Sequence, residues 1–163
     1  YPGWTKITGP VRIKQQVLTT DVAPSILDAA GAPPMDNIHG QSIKPLVSGN
    51  SENWRTEWLY HYNYEKQFPY TPNVRAVRGD RFKYIRYPHG DGSPDRHMAE
   101  LYDMENDPAE STNLINDPAH KQTIAMMEQR LIQAMKAVGL DHQSDKMPLD
   151  AGIGTALPDK AIR

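Results

Sequence analysis

The chain has 163 residues, no cysteine, and 18 Lys plus Arg against 20 Asp plus Glu, for a formal net charge of −2. That length fits one or two folded units. The missing basic excess argues against a general nucleic-acid binder, and the missing cysteine excludes disulfides, thiol nucleophiles and cysteine-ligated metal sites within these residues. With 38% hydrophobic residues, 14 Pro and 11 Gly, this is a polar, loop-rich chain. No run approaches the ~20 apolar residues that span a bilayer, so neither nucleic acid nor membrane is an expected partner.

Tyr1-Pro2-Gly3-Trp4 reads as loop interior, which suggests a piece of a longer protein. A short strand is expected near residues 11–13. In Val17-Leu18-Thr19-Thr20-Asp21-Val22-Ala23-Pro24, Thr20 or Asp21 can N-cap a helix that tolerates Pro24 in its first turn. Val22, Ile26 and Ala29 give that helix one apolar face, and Gly31 can take the left-handed position that ends it. His39-Gly40-Gln41-Ser42 leads to a short helical turn at 43–47. Ser48-Gly49-Asn50-Ser51 is the expected linker.

Beyond the linker the pattern becomes β-like. Residues 57–62 are aromatic-rich and suit a strand. Segments 74–78 and 81–87, joined by Gly79-Asp80, read as a hairpin, and 99–102 as a fourth strand. Residues 67–73 and 88–94 read as loops. Asp107-Pro108-Ala109-Glu110 has the form of a helix start with a capping box, and Asp117-Pro118 repeats it. Ile124, Met127, Leu131, Ala134 and Val138 then step by three or four residues, predicting a helix of about 20 residues ended by Gly139. The expected fold is α+β: about four antiparallel strands packed by a long C-terminal helix. Residues 139–163 read as an extended tail.

Few residues suggest chemistry. Asp103-Met104-Glu105-Asn106-Asp107 resembles calcium ligands, but Pro108 and Leu114 stand where an EF-hand needs Gly and Glu. None of the six histidines has the i, i+4 spacing of a zinc site, and His89, Asp91, Asp95 and His97 make at most a weak metal cluster. Arg75, Arg78, Arg81, Lys83 and Arg86 put five cations on one hairpin, suited to oxyanions. Alternation splits them between two faces, with Arg75 and Arg78 at opposite parity. Tyr60, Tyr62 and Tyr64 share one face by the same rule. There is no nucleophile elbow, P-loop or dinucleotide fingerprint. These residues alone show no complete catalytic apparatus.

Four strings in order resemble the type I sulfatases of the alkaline-phosphatase-like superfamily. Residues 17–31 are similar to L-V-S-x-x-D-I-A-P-T-L-L-D-L-A-G. His39-Gly40-Gln41-Ser42-Ile43-Lys44-Pro45-Leu46 is similar to x-G-x-S-L-x-P-L. Val77-Arg78-Gly79-Asp80-Arg81-Phe82-Lys83-Tyr84-Ile85 is similar to V-R-T-D-R-Y-K-Y-I. Glu100-Leu101-Tyr102-Asp103 with Asp107-Pro108, Glu110 and Asn113-Leu114 is similar to E-L-Y-D-L-x-x-D-P-x-E-x-x-N-L.

The resemblance implies that 1–50 end an α/β catalytic domain with its last helical segment. Residues 51–138 would form the C-terminal subdomain. It also implies an exported enzyme, periplasmic, extracellular or lysosomal, that hydrolyses sulfate esters, with a sulfated carbohydrate as the expected substrate. A formylglycine nucleophile and a calcium ion would both lie upstream, so no cofactor, metal ligand or catalytic residue is assigned to this piece. It is expected to be inactive alone and to have the upstream catalytic domain of the same chain as its partner. In such enzymes this subdomain flanks the active-site mouth, which makes His61, Tyr62, Tyr64, Arg75 and Arg78 candidate substrate contacts. Asp21 matches a family position and reads as a helix cap. Two alternatives stand beside this reading: a stand-alone anionic-glycan-binding module, and part of a related phosphonate or phosphodiester hydrolase.

Overall fold

The computed structural model describes residues 9–10, 12–63, 73–88 and 99–140. The chain divides into two units, Tyr1–Thr56 and Glu57–Arg163.

In the first unit a 3-10 turn, Thr19–Asp21, runs into helix α1, Val22–Ala30, and a single-turn helix α2 follows at Lys44–Val47. Gly31 ends α1 at φ 67°, its N–H donating to the carbonyls of Asp28 and Leu27, while the Ala32 N–H reaches the Leu27 carbonyl at 2.9 Å. This is the left-handed closure expected of a glycine there. The expected strand near 11–13 is not found: Val11 lies outside the described residues, and 12–15 join no sheet.

Asp21 is not the helix cap expected of it, since its side chain makes no capping bond to α1. It is fully buried and collects partners from three places. Its carboxylate accepts from the Leu18 N–H at 2.7 Å and the Gln41 N–H at 2.9 Å. Both terminal nitrogens of Arg55 donate to it, at 2.5 and 2.7 Å. Burial alone would raise its pKa; the Arg55 guanidinium and the two backbone N–H groups outweigh that and hold it below the ordinary value.

Gly40 makes this convergence possible. A Cβ there would lie 1.9 Å from the Thr20 carbonyl oxygen, so only glycine lets Gln41 approach Asp21. The rest of the string is tied to α1 by polar contacts. Ser25 Oγ donates to the Asp21 carbonyl at 2.6 Å and accepts from the Ile43 N–H at 3.0 Å. Ser42 Oγ and Lys44 Nζ both donate to the Asp28 carboxylate, at 2.7 and 2.9 Å. The expected boundary at 50/51 falls inside this unit. Trp54 Nε1 donates to the Gln16 carbonyl at 2.9 Å, and Arg55 bonds Asp21, so the chain is still held by the first unit at residue 55.

The second unit is a meander. Strands β1 (Trp58–Tyr62), β2 (Val74–Arg78), β3 (Phe82–Arg86) and β4 (Glu100–Asp103) pair antiparallel in that order. Helix α3, Lys121–Ala137, follows a 3-10 turn at Pro118–His120, which Asp117 caps by accepting from the Ala119 N–H. Turn and helix together span the predicted helical stretch, and Gly139 closes it at φ 78°. Val77 pairs with Tyr84, and Tyr84 with Leu101. These three meet Met127, Leu131 and Met135, spaced one helical turn apart, in a buried core. The stripe ends on Met135 rather than continuing to Val138, which is exposed.

The helix expected to start at Asp107 is a turn instead. Glu110 has φ 56°, and the Asp107 carboxylate accepts from the Thr112 N–H at 2.8 Å, beyond the reach of a helix cap. The residues after Pro108 carry no apolar stripe to reward a helix: Leu114 and Ile115 are adjacent, and both pack on the core. The expected loops at 67–73 and 88–94 and the tail lie wholly or mostly outside the described residues. Among the described residues, no helix is long and apolar enough to cross a membrane.

Candidate substrate-contact site

Pairing in β1 and β2 sets His61 opposite Arg75 and Leu59 opposite Val77. Val77 is in the core and Leu59 packs against it. By alternation His61 and Arg75 therefore share the face that turns toward α3, while Tyr60 and Tyr62 take the other.

Arg75 is fully buried. Its Nη1 donates to the carbonyls of Tyr62 and Val74, at 2.9 and 3.0 Å, and its Nη2 to Asn63 Oδ1 at 2.9 Å. A buried guanidinium needs acceptors, and these come from the last residue of β1, its exit and the first residue of β2. Arg75 was expected to face substrate; it instead clamps the end of one strand to the start of the next. Its parity with Val77 is the physical reason.

His61 is exposed, with Nε2 at 2.9 Å from Asn63 Oδ1. Tyr62 is half-buried. Tyr64 lies outside the described residues. Arg78 sits at the far end of β2 on the opposite face, where its Nη1 donates to the Gly79 carbonyl. Burial lowers its pKa against the opposing pull of Asp80 and Glu110. The fold thus sets His61 and Arg75 on one face, reaches Tyr62 only through its backbone carbonyl, and sets Arg78 apart. It adds Asn63, for which the sequence offers no signal.

Two other cations of the hairpin, Lys83 and Arg81, are already engaged. Lys83 pairs with Glu110 and lies 5.9 Å from the centre of the Tyr102 ring. Arg81 grips Asp103 through Nε and Nη2, the latter at 2.7 Å. That hydrogen-bonded guanidinium, with the side-chain amide of Asn106 and the N–H groups of Glu105 and Asn106, outweighs desolvation and pulls the Asp103 carboxyl far below the usual range. The acidic string is therefore an arginine-anchored turn. Glu100 accepts from two phenols, Tyr87 at 2.6 Å and Tyr102 at 2.8 Å. Burial, reinforced by that carboxylate, raises both phenol pKa values strongly. Among the described residues, no three His, Asp or Glu side chains converge as a metal ion requires. The His89–His97 cluster falls outside them.

The meander under one long helix, preceded by two short helices laced by polar contacts, is the C-terminal region of a sulfatase of the alkaline-phosphatase-like superfamily. Residues 1–137 match the family described as N-sulphoglucosamine sulphohydrolase, C-terminal, and the chain belongs to it. It is 32% identical over 137 residues to the Delta 4,5-hexuronate-2-O-sulfatase of Bacteroides thetaiotaomicron, covering 81% of this chain and 26% of that protein. It superposes on a solved 2-O GAG sulfatase with TM-score 0.61 and 30% identity, over 80% of this chain and 27% of that one. A structure solved with its substrate D-glucosamine-2-N,6-O-disulfate gives TM-score 0.60 and 27% identity, over 77% and 24%. The chain spans about a quarter of the length of these relatives.

Proposed function

We propose that this chain is the C-terminal part of an exported sulfatase that hydrolyses sulfate esters of a sulfated carbohydrate, and that it packs on an upstream catalytic domain and walls the substrate cleft. The observation that carries this reading is the match of residues 1–137 to a sulfatase C-terminal family. Relatives named for sulfated uronate and glucosamine substrates support the substrate class. The family's formylglycine and calcium would belong to the upstream domain. The described residues do not fit a metal ion and the chain has no cysteine, so no chemical step is assigned to them. The work of these residues is positional. Arg75 holds the β1–β2 end in shape, and His61 and Tyr62 stand on it as contacts for the non-reacting part of the sugar. Tyr64 and Arg78 remain candidates for the same cleft wall.

The test is sulfate release from monosulfated disaccharides by the longer parent and by residues 1–163 alone. Turnover by the parent and none by 1–163 is the expected result. Turnover by 1–163 overturns the division of labour. Release of phosphate or phosphonate products in place of sulfate by the parent would move the assignment to the related hydrolases.

A further inference from the structure

The hydrogen bonds at the β1 end determine more than who touches whom. A guanidinium can only donate. Arg75 Nη2 lies 2.9 Å from one side-chain atom of Asn63, so that atom is the amide oxygen and the amide orientation is settled by charge. The same oxygen lies 2.9 Å from His61 Nε2. It has no proton to give, so a neutral His61 must carry its own proton on Nε2.

Two groups are then left over, one on each residue. His61 Nδ1 is a bare acceptor, and Asn63 Nδ2 carries two donor N–H bonds. Neither makes a hydrogen bond to another described residue. His61 and Asn63 are both exposed, so the pair can meet a ligand. A neutral acceptor and a neutral donor, with the nearby cation buried under backbone carbonyls, suit hydroxyl groups and not an anion: one hydroxyl donates to the imidazole and a separate one accepts from the amide.

We propose that His61 and Asn63 form a sugar-hydroxyl subsite, with Arg75 as its positioning residue, so that this edge of the unit reads the ring hydroxyls of the substrate and not its sulfate. The substrate class rests on the sulfatase reading; the tautomer and the donor–acceptor pair do not.

The test uses the 163-residue chain, uniformly 15N-labelled, with His61 assigned by the H61A variant. Long-range 1H–15N correlation reads which ring nitrogen of His61 carries the proton. Titration with a uronate–glucosamine disaccharide, unsulfated and then sulfated, reads whether His61 Nδ1 and the Asn63 amide shift. The expected result is the Nε2–H tautomer and shifts of both groups with the unsulfated sugar. In Asn63→Asp the acceptor for Arg75 and His61 is kept and the donors are lost, so that variant should stay folded and bind about fivefold more weakly, the worth of one neutral hydrogen bond. An Nδ1–H tautomer overturns the proposal. So does the lack of any shift at tens of millimolar sugar, or shifts that need the sulfate. A parent that releases no sulfate while His61 still responds to the sugar would refute the sulfatase reading and leave the subsite standing.

Discussion

Asp21 and Arg75 show how one buried charge can decide a local structure. Asp21 has an arginine and two N–H groups around it; Arg75 has two carbonyls and an amide oxygen. Removing one partner of such a set leaves the other charge buried and uncompensated, which costs about 3–5 kcal/mol. Asp21→Asn leaves Arg55, nearly buried, without its counter-charge and should destabilise the first unit by about that much. The pH dependence follows from the sign of the shift. The folded-state pKa of Asp21 lies below its ordinary value of 3.8. Its stabilising effect is therefore complete above the unfolded value and fades as pH falls from about 4 through the folded value. Urea denaturation of wild type and Asp21→Asn at pH 7 and pH 3 checks this: the gap between them should narrow at the lower pH. A gap that stays constant would mean that the carboxylate's charge contributes nothing.

At the scale of elements, most of the fold was legible because pattern and punctuation agreed. All four strands lie within a residue or two of their predicted positions, bounded by Gly79, by proline-containing segments, or by aspartate. The long helix was visible in its apolar spacing. The failure at Asp107 has a physical cause: Asp-Pro-x-Glu serves a turn and a helix start equally well, and only an apolar stripe downstream separates them. The site was half legible. Alternation placed Arg75 and Arg78 on opposite faces, but parity with Val77 should also have put Arg75 inside. Asn63 and Arg55 act through partners distant in sequence or beyond a strand end, and no spacing rule reaches them. Because α3 closes the core through Met127, Leu131 and Met135, each about fully buried, Leu131→Ala should cost about 2–5 kcal/mol by leaving a cavity beneath the sheet. Thermal denaturation followed by circular dichroism measures it. A loss under 1 kcal/mol would mean that the helix is not what holds the sheet.

Across the whole molecule the two units are held together internally by different means. Among the described residues, eight of the ten buried hydrophobic ones, Ala76, Val77, Tyr84, Ile85, Leu101, Met127, Leu131 and Met135, belong to the second unit, and Leu46 and Trp54 belong to the first. The first unit relies on polar ties, while Val22 and Ile26 of α1 are 55% and 62% exposed. Polar ties add about 1 kcal/mol each, whereas burying one large apolar side chain adds about 1.5–3. Local opening of α1 should therefore be the lower-energy event. Hydrogen exchange by mass spectrometry on the 163-residue chain should show amides of 74–78, 82–86 and 127–135 protected far longer than those of 22–30. Equal protection would mean that the polar lacing around Asp21 and Asp28 is worth as much as the closed core. In the longer parent, the proposed upstream domain would give the exposed face of α1 an apolar surface to bury against, and protection of 22–30 should rise there while that of 127–135 stays unchanged. If both segments exchanged as they do in the short chain, the catalytic domain would not be packing on α1, and the role proposed for this unit as the end of that domain would fail.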